Sequence, residues 1–279
     1  MLIRCWGSRG QIPVSGAEFT RYGGDTTCME VRSENGDIIV IDAGSGIRSL
    51  GTVLLKEKKQ KISLLFTHLH IDHIIGLPFF SPLYNSDSVI KIFGCSFDEK
   101  SFRDSLNGMM RPPYFPVDLK GIPAKMSYSE VGSRSFRIGS IKVTPALLNH
   151  PNGGLGYRFE ENGASFVFLT DNELSEDLPG SRPFSFYAKF CQDADLLVHD
   201  AEFKPQEYTR HKSWGHSNYC DAIKLGLLAN AKRLGLFHIN NQRKDKQVDT
   251  LVKSARNLVK NQGKTMDCFA VSSRFSIHL

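Results

Sequence analysis

Apolar residues along this chain come in short runs separated by turn-forming positions, and most runs are too short for a helix. Leu2 to Trp6 reads as a strand ending in the turn Gly7-Ser8-Arg9-Gly10. Cys28 to Ser33 and Asp37 to Ile41 flank Glu34-Asn35-Gly36, and an Asn-Gly step between two apolar runs is a hairpin signal. Ile62 to Thr67 is unbroken and apolar, the pattern of a strand covered on both faces. Ile47, Leu50, Val53 and Leu54 have helical spacing instead, and the Lys56–Lys61 run after them reads as a solvated helix end.

Further strands are predicted over 89–94, 141–148, 155–159 and 165–170, with one helix over 98–109. The last third repeats strand and helix: a strand over Asp195 to Val198, a helix over 217–231, and a strand over Leu234 to Ile239. A helix over 246–261 and a strand over 267–271 complete it. Two strand-rich halves, each followed by helices, predict a sheet sandwich with helices outside. No stretch reads as a linker, so residues 1–279 are expected to form one domain.

Composition narrows the class. With 41% hydrophobic and 23% charged residues, and glycine and proline without a period, disorder, collagen and coiled coil are excluded. No apolar run approaches the ~20 residues of a membrane span, and the apolar start is too short for a signal peptide, so a cytoplasmic protein is expected. Cys5, Cys28, Cys95, Cys191, Cys220 and Cys268 lie far apart with no C-x-x-C pair, which argues for reduced thiols rather than a zinc knuckle. The net charge of +6 comes from scattered basic residues, compatible with an anionic substrate but no sign of nucleic-acid binding.

The candidate chemistry begins where the strand at 62–67 stops. His68-Leu69-His70-Ile71-Asp72-His73 packs four potential ligands into six residues, and each would need a polar partner in a core. In an extended segment His68, His70 and Asp72 would share one side, with a turn bringing His73 to the same point. Four donors of mixed nitrogen and oxygen character suit two metals sharing a water; the alternative is a solvated loop without metal. His150, Asp171 and His238 each follow an apolar run of the same kind.

On these residues the chain resembles the metallo-β-lactamase superfamily. His68, His70, Asp72 and His73 match its signature hexapeptide, and His150, Asp171 and His238 match its later motifs. The resemblance implies an α/β (α+β) fold, a four-layer αββα sandwich with two zinc or manganese ions between the sheets. It also implies His68, His70 and His150 on one ion, Asp72, His73 and His238 on the other, and Asp171 bridging.

Val198-His199-Asp200-Ala201-Glu202-Phe203 and Gly215-His216-Ser217 are similar to motifs of the ribonuclease Z and phosphodiesterase branch. That makes His216 and Asp200, beside Asp72 of the hexapeptide, the candidate catalytic residues, with Asp200 orienting the His216 imidazole as a general acid. Against this stands Ser217 as a helix cap beside a merely solvated His216. The resemblance runs furthest towards small bacterial cyclic-nucleotide phosphodiesterases and phage anti-Pycsar-type nucleases. The implied function is dinuclear hydrolysis of small nucleotide phosphodiesters, with a homodimer expected. Alternatives are an RNA-processing nuclease and a non-catalytic metal-binding scaffold.

Ribonuclease Z carries a long arm for transfer RNA between its third-motif histidine and bridging aspartate. Here 171 − 150 = 21 positions separate them, filled by two strand-like runs, so transfer RNA is not the expected substrate. His199 is expected beside the site. His211 and His278 have no arguable role. Arg111-Pro112-Pro113-Tyr114-Phe115-Pro116 reads either as a cover over the cleft or as a packed connection. Gly23-Gly24-Asp25-Thr26-Thr27 reads as lining the site or not.

Overall fold

The computed structural model describes residues 1–96, 101–174 and 180–279. Its strands are β1 (Leu2–Gly7), β2 (Cys28–Arg32), β3 (Ile38–Ile41), β4 (Lys61–Leu65), β5 (Val89–Gly94), β6 (Lys125–Glu130) and β7 (Phe136–Ile138) in the first half. The second half adds β8 (Ile141–Leu147), β9 (Leu155–Glu161), β10 (Ala164–Leu169), β11 (Leu196–Asp200), β12 (Arg233–Phe237), β13 (Asp267–Ala270) and β14 (Ser276–His278). The helices are α1 (Ile47–Lys56), α2 (Ile71–Ile74), α3 (Phe102–Met109), α4 (Phe184–Phe190), α5 (Pro205–Tyr208), α6 (Tyr219–Leu228) and α7 (Asp245–Asn261).

Two seven-stranded sheets result, ordered β14-β1-β2-β3-β4-β5-β6 and β13-β12-β11-β10-β9-β8-β7. Each is antiparallel at one end and parallel at the other: β3, β4, β5 and β6 run parallel, as do β10, β11, β12 and β13. The expected Asn-Gly hairpin joins β2 to β3 with Met29 opposite Ile41.

Side-chain alternation creates the layers. Because successive strand residues face opposite ways, Ile39 and Ile41 of β3 meet Phe166 and Phe168 of β10 between the sheets, while Ile38 and Val40 face outward. The outward set of the first sheet packs under α1 and α3 with Leu50, Leu54 and Leu106. Val167, Leu169 and Leu197 of the second sheet pack under α4, α6 and α7 with Tyr187, Ala222 and Ala255. Both strand faces are therefore buried, which is why β4 and β10 carry unbroken apolar runs and why the order is helix, sheet, sheet, helix.

Several boundaries differ from expectation. The 217–231 helix is α6, which starts at Tyr219 because the Asn218 side chain accepts N–H bonds from Cys220 and Asp221. The predicted 98–109 helix is α3 from Phe102, and residues 98–100 lie outside the described residues. β6, β7 and β14 were not signalled: all three are short or edge strands, β6 mostly exposed, so burial imposes no pattern on them. The six cysteines are free thiols. Among the described residues no helix is long and apolar enough to cross a membrane.

Candidate metal centre

Most sequence-predicted site residues lie at the end of a strand or just after it, whereas His216 lies between α5 and α6. β4 ends at Leu65, and the chain then turns rather than extends: His70 precedes the single-turn helix α2, which carries Asp72 and His73. The expected alternation of an extended segment is thus replaced by a helical turn, because a period near 3.6 sets neighbours about 100° apart and lets Asp72 and His73 both reach inward. Asp42, at the end of β3, anchors the turn by accepting Thr67 N–H and Oγ–H, each at 2.7 Å.

His150 follows β8, Asp171 follows β10 and His238 follows β12; the last two adopt left-handed backbone with φ 50° and 55°. The sheets are tied together at this end, since Leu155 N–H donates to Thr67 O at 2.8 Å and Tyr157 O–H to Phe66 O at 2.6 Å.

The ligand atoms converge. His68, His70 and His150 form one group and Asp72, His73, Asp171 and His238 another, the atoms of each lying within 4.8 Å of one another. His150 Nε2 is 2.9 Å from His70 Nδ1, and His238 Nε2 is 3.2 Å from Asp72 Oδ2. Asp171 stands between the groups: Oδ1 is 3.2 Å from His73 Nε2, and Oδ2 is 3.7 Å from His68, 3.8 Å from His150 and 3.4 Å from His238.

The opposite ring nitrogens are already engaged. His68 Nδ1 meets Thr67 Oγ1 at 3.0 Å, His73 Nδ1 meets Asp42 Oδ2 at 2.8 Å, His150 Nδ1 meets Gly215 O at 3.0 Å, and His238 Nδ1 meets Glu202 Oε2 at 3.0 Å. Such partners orient an imidazole and raise its basicity towards a metal. Among the described residues, the Nε2 atoms of His68 and His73 are buried with no well-aligned hydrogen-bond partner, although Asp171 lies close to both. Unpaired buried nitrogens are costly, and a divalent cation would satisfy them, so the donor set fits a metal pair.

The charges within the cluster act strongly on one another. Burial opposes the charge on Asp171, but the His238 and His73 imidazoles outweigh it and hold the carboxyl well below the usual carboxylate range. Burial likewise opposes protonation of His73 and His238, yet Asp171 pulls both well above the usual histidine range. Burial drives His68 well down and His150 down to about 4.

Beside this cluster lies the second predicted pair. His216 Nδ1 is 2.6 Å from Asp200 Oδ2. Burial lowers its pKa, but Asp200 raises it further, to about 9. The helix cap is Asn218, and Ser217 instead donates its hydroxyl to Asn172 O at 2.6 Å. His216 is only 8% exposed, so it is not a solvated bystander.

Asp42, Glu202, Thr67 and Gln11 were not singled out from the sequence, although Gln11 N–H donates to Asp72 Oδ2 at 2.7 Å. Their signal was weak: Asp42 ends an apolar run, as Asp171 does, and Glu202 falls within the 198–203 segment two residues after β11, but only spatial proximity separates them from ordinary strand-end carboxylates.

The remaining expectations sort as follows. His199 is fully buried, bonded to Asn172 Nδ2 and Asp200 O behind the site. His211 stacks on Phe203, and His278 lies exposed on β14. The 23–27 run braces the loop after β3, with Asp25 accepting the Ser45 hydroxyl and Thr27 O the Gly44 N–H. In the proline loop, Phe115 packs edge-on against Phe79. One cavity next to the cluster, about 270 Å³, is instead lined by residues that include His68, Leu69, His70, Phe102, Ser105 and Asn152.

Residues 38–239 match the model of a beta-lactamase superfamily domain. A ribonuclease Z from Latilactobacillus sakei is 24% identical over 273 residues, covering 84% of this chain and 86% of that one. Among solved structures, the metallo-beta-lactamase fold protein YhfI from Bacillus subtilis superposes with a TM-score of 0.73 at 16% identity over 99% of this chain and 98% of that one. Unliganded yeast PDE1 superposes with a TM-score of 0.71 at 14% identity over 100% and 99%.

Proposed function

The chain belongs to the beta-lactamase superfamily, and from that premise we propose a dinuclear metal-dependent phosphodiesterase acting on small nucleotide phosphodiesters, cyclic nucleotides foremost. The observation that carries this is the His216–Asp200 pair set against Asp171, with His216 Nδ1 4.0 Å from Asp171 Oδ2. Hydrolysis of a thioester has less need of such a proton donor, because a thiolate departs without one.

Residues 1–279 act as one hydrolase domain in this reading. His68, His70 and His150 would hold one divalent ion and Asp72, His73 and His238 the other, with Asp171 between; zinc fits this donor set, and manganese is the second choice. Such ions supply an acidic water and neutralise charge on the phosphoryl oxygens. Asp72, fixed by Gln11 N–H, keeps its carboxylate aimed at the centre. Asp200 holds His216 Nδ1 and keeps the ring protonated near neutrality, so that Nε2 can hand its proton to the departing sugar oxygen. The 270 Å³ cavity beside His68 and His70 is near the lower end of small-ligand sites, which suits a mononucleotide. Exposed Phe79 and Tyr84, lining a groove with Phe115 and Leu55, support a homodimer through that face, which sedimentation tests.

The ribonuclease Z reading is favoured by the names of the sequence relatives. Against it, β9, β10 and their turn occupy the positions between His150 and Asp171, leaving no room for an RNA-gripping arm in that interval. Without one, the phosphate contacts that dominate RNA affinity are few. A panel of cyclic mononucleotides, cyclic dinucleotides, an aryl phosphodiester and precursor transfer RNA, each with zinc and with manganese, decides. Turnover of the small diesters is expected. Efficient single-site removal of a transfer RNA 3′ trailer at physiological salt would reverse the choice.

A further inference from the structure

We propose that Glu173 is a positioning residue that fixes segment 213–216 and, through it, both the His150 and the His216 rings. Glu173 is fully buried two residues after Asp171, at the same strand end. Its Oε1 accepts the Tyr208 hydroxyl at 2.6 Å and Ser213 N–H at 2.9 Å, and its Oε2 accepts Gly215 N–H at 2.9 Å. A carboxylate out of water needs this many donors, so the three bonds also determine where the donors must lie.

Their location matters to the site. Gly215 turns its own carbonyl to His150 Nδ1 at 3.0 Å, and the next residue is His216. The approach is so close that a Cβ on Gly215 would lie 2.0 Å from His150 Nδ1, and its φ of +84° also excludes other residues. Ser213 adopts φ +67°, a left-handed conformation unfavourable for serine, and its N–H bond to Glu173 holds it there. Ser217 closes the lacing, receiving Leu174 N–H at 3.1 Å and donating to Asn172 O.

Glu173 thus acts on two groups at once: it sets the acceptor that orients His150, and it sets the backbone position of the proton donor. The second half rests on the proposed acid role of His216; the first does not.

The test compares Glu173→Gln, Tyr208→Phe and His216→Ala in the metal-loaded protein, using a dialkyl-type nucleotide diester, a p-nitrophenyl diester and chelator competition for metal. Glu173→Gln puts an amide donor against N–H groups, so metal affinity should fall roughly 10-fold to 100-fold. Turnover on the alkoxide-leaving substrate should fall at least ~10-fold more than on the aryl substrate, as for His216→Ala. Tyr208→Phe, which loses one of three bonds, should shift both readouts the same way by less, and it stands in if Glu173→Gln does not fold. Unchanged metal affinity together with equal losses on both substrates overturns the proposal. If His216→Ala itself shows no leaving-group selectivity, the acid reading fails, and Glu173 is judged on metal affinity alone: weakened binding upholds it and unchanged binding overturns it.

Discussion

Asp171 is the residue on which four imidazoles converge, with His68, His73, His150 and His238 all within 3.2–3.8 Å of its oxygens. Asp171→Ala should therefore lose more bound metal than any single histidine replacement, as elemental analysis after desalting would show. The Asp200 carboxylate lifts His216 against burial, to a pKa of about 9. A general acid works only while protonated, so the rate on alkoxide-leaving substrates should fall as pH rises through that value. In Asp200→Asn burial acts unopposed by that charge, the pKa drops, and the alkaline limb of the pH–rate profile should move to lower pH. An unmoved limb would mean that another group limits the rate there. The histidines and Asp171 were legible at this scale because several polar donors at strand ends have no other economical use. Asp42 and Glu202 were not, since what marks them is a ring nitrogen at 2.8 Å or 3.0 Å contributed from 31 or 36 residues away.

Elements buried on both faces announced themselves. β3, β4, β10 and β11 were found within a residue or two because each side of each strand lies in a core. Phe168 sits between the sheets against Phe166 and Phe237, so Phe168→Ala should cost about 3–5 kcal/mol in denaturant unfolding. The turn after β1 is more tightly specified than its glycines suggested. A Cβ on Gly10 would meet the His238 ring at 2.3 Å, so Gly10→Ala should displace that ring and weaken one metal position while the other fills. Two-step metal titration resolves the two positions.

At the scale of the molecule, the centre is a seam. Asp42, His68 and His73 come from the first sheet, and His150, Asp171 and His238 from the second. Fully buried Arg9 adds a second tie, donating to Gly23 O at 2.8 Å and Arg243 O at 2.7 Å across the same end. Ions held by ligands from both sheets bind the folded state selectively. A ligand at a thousand times its dissociation constant stabilises by about 4 kcal/mol. Chelation should therefore lower the melting temperature reversibly, and restoring zinc should recover it; an unchanged melting curve would mean no metal spans the sheets.

Apolar periodicity by itself determined that this chain builds two strand-rich halves with helices outside, because burial on both faces of a strand leaves an unbroken mark in the residues. The donor-rich ends of those strands likewise determined which residues would gather. Which atoms meet was decided only in three dimensions: a helical turn, not an extended segment, aims Asp72 and His73, and the left-handed backbone at Asp171 and His238 turns both inward. The partners that hold each ring, Asp42, Glu202 and the Gly215 carbonyl, come from distant segments. Hydrogen bonds are short-ranged and directional, so their partners leave no periodic trace along the chain.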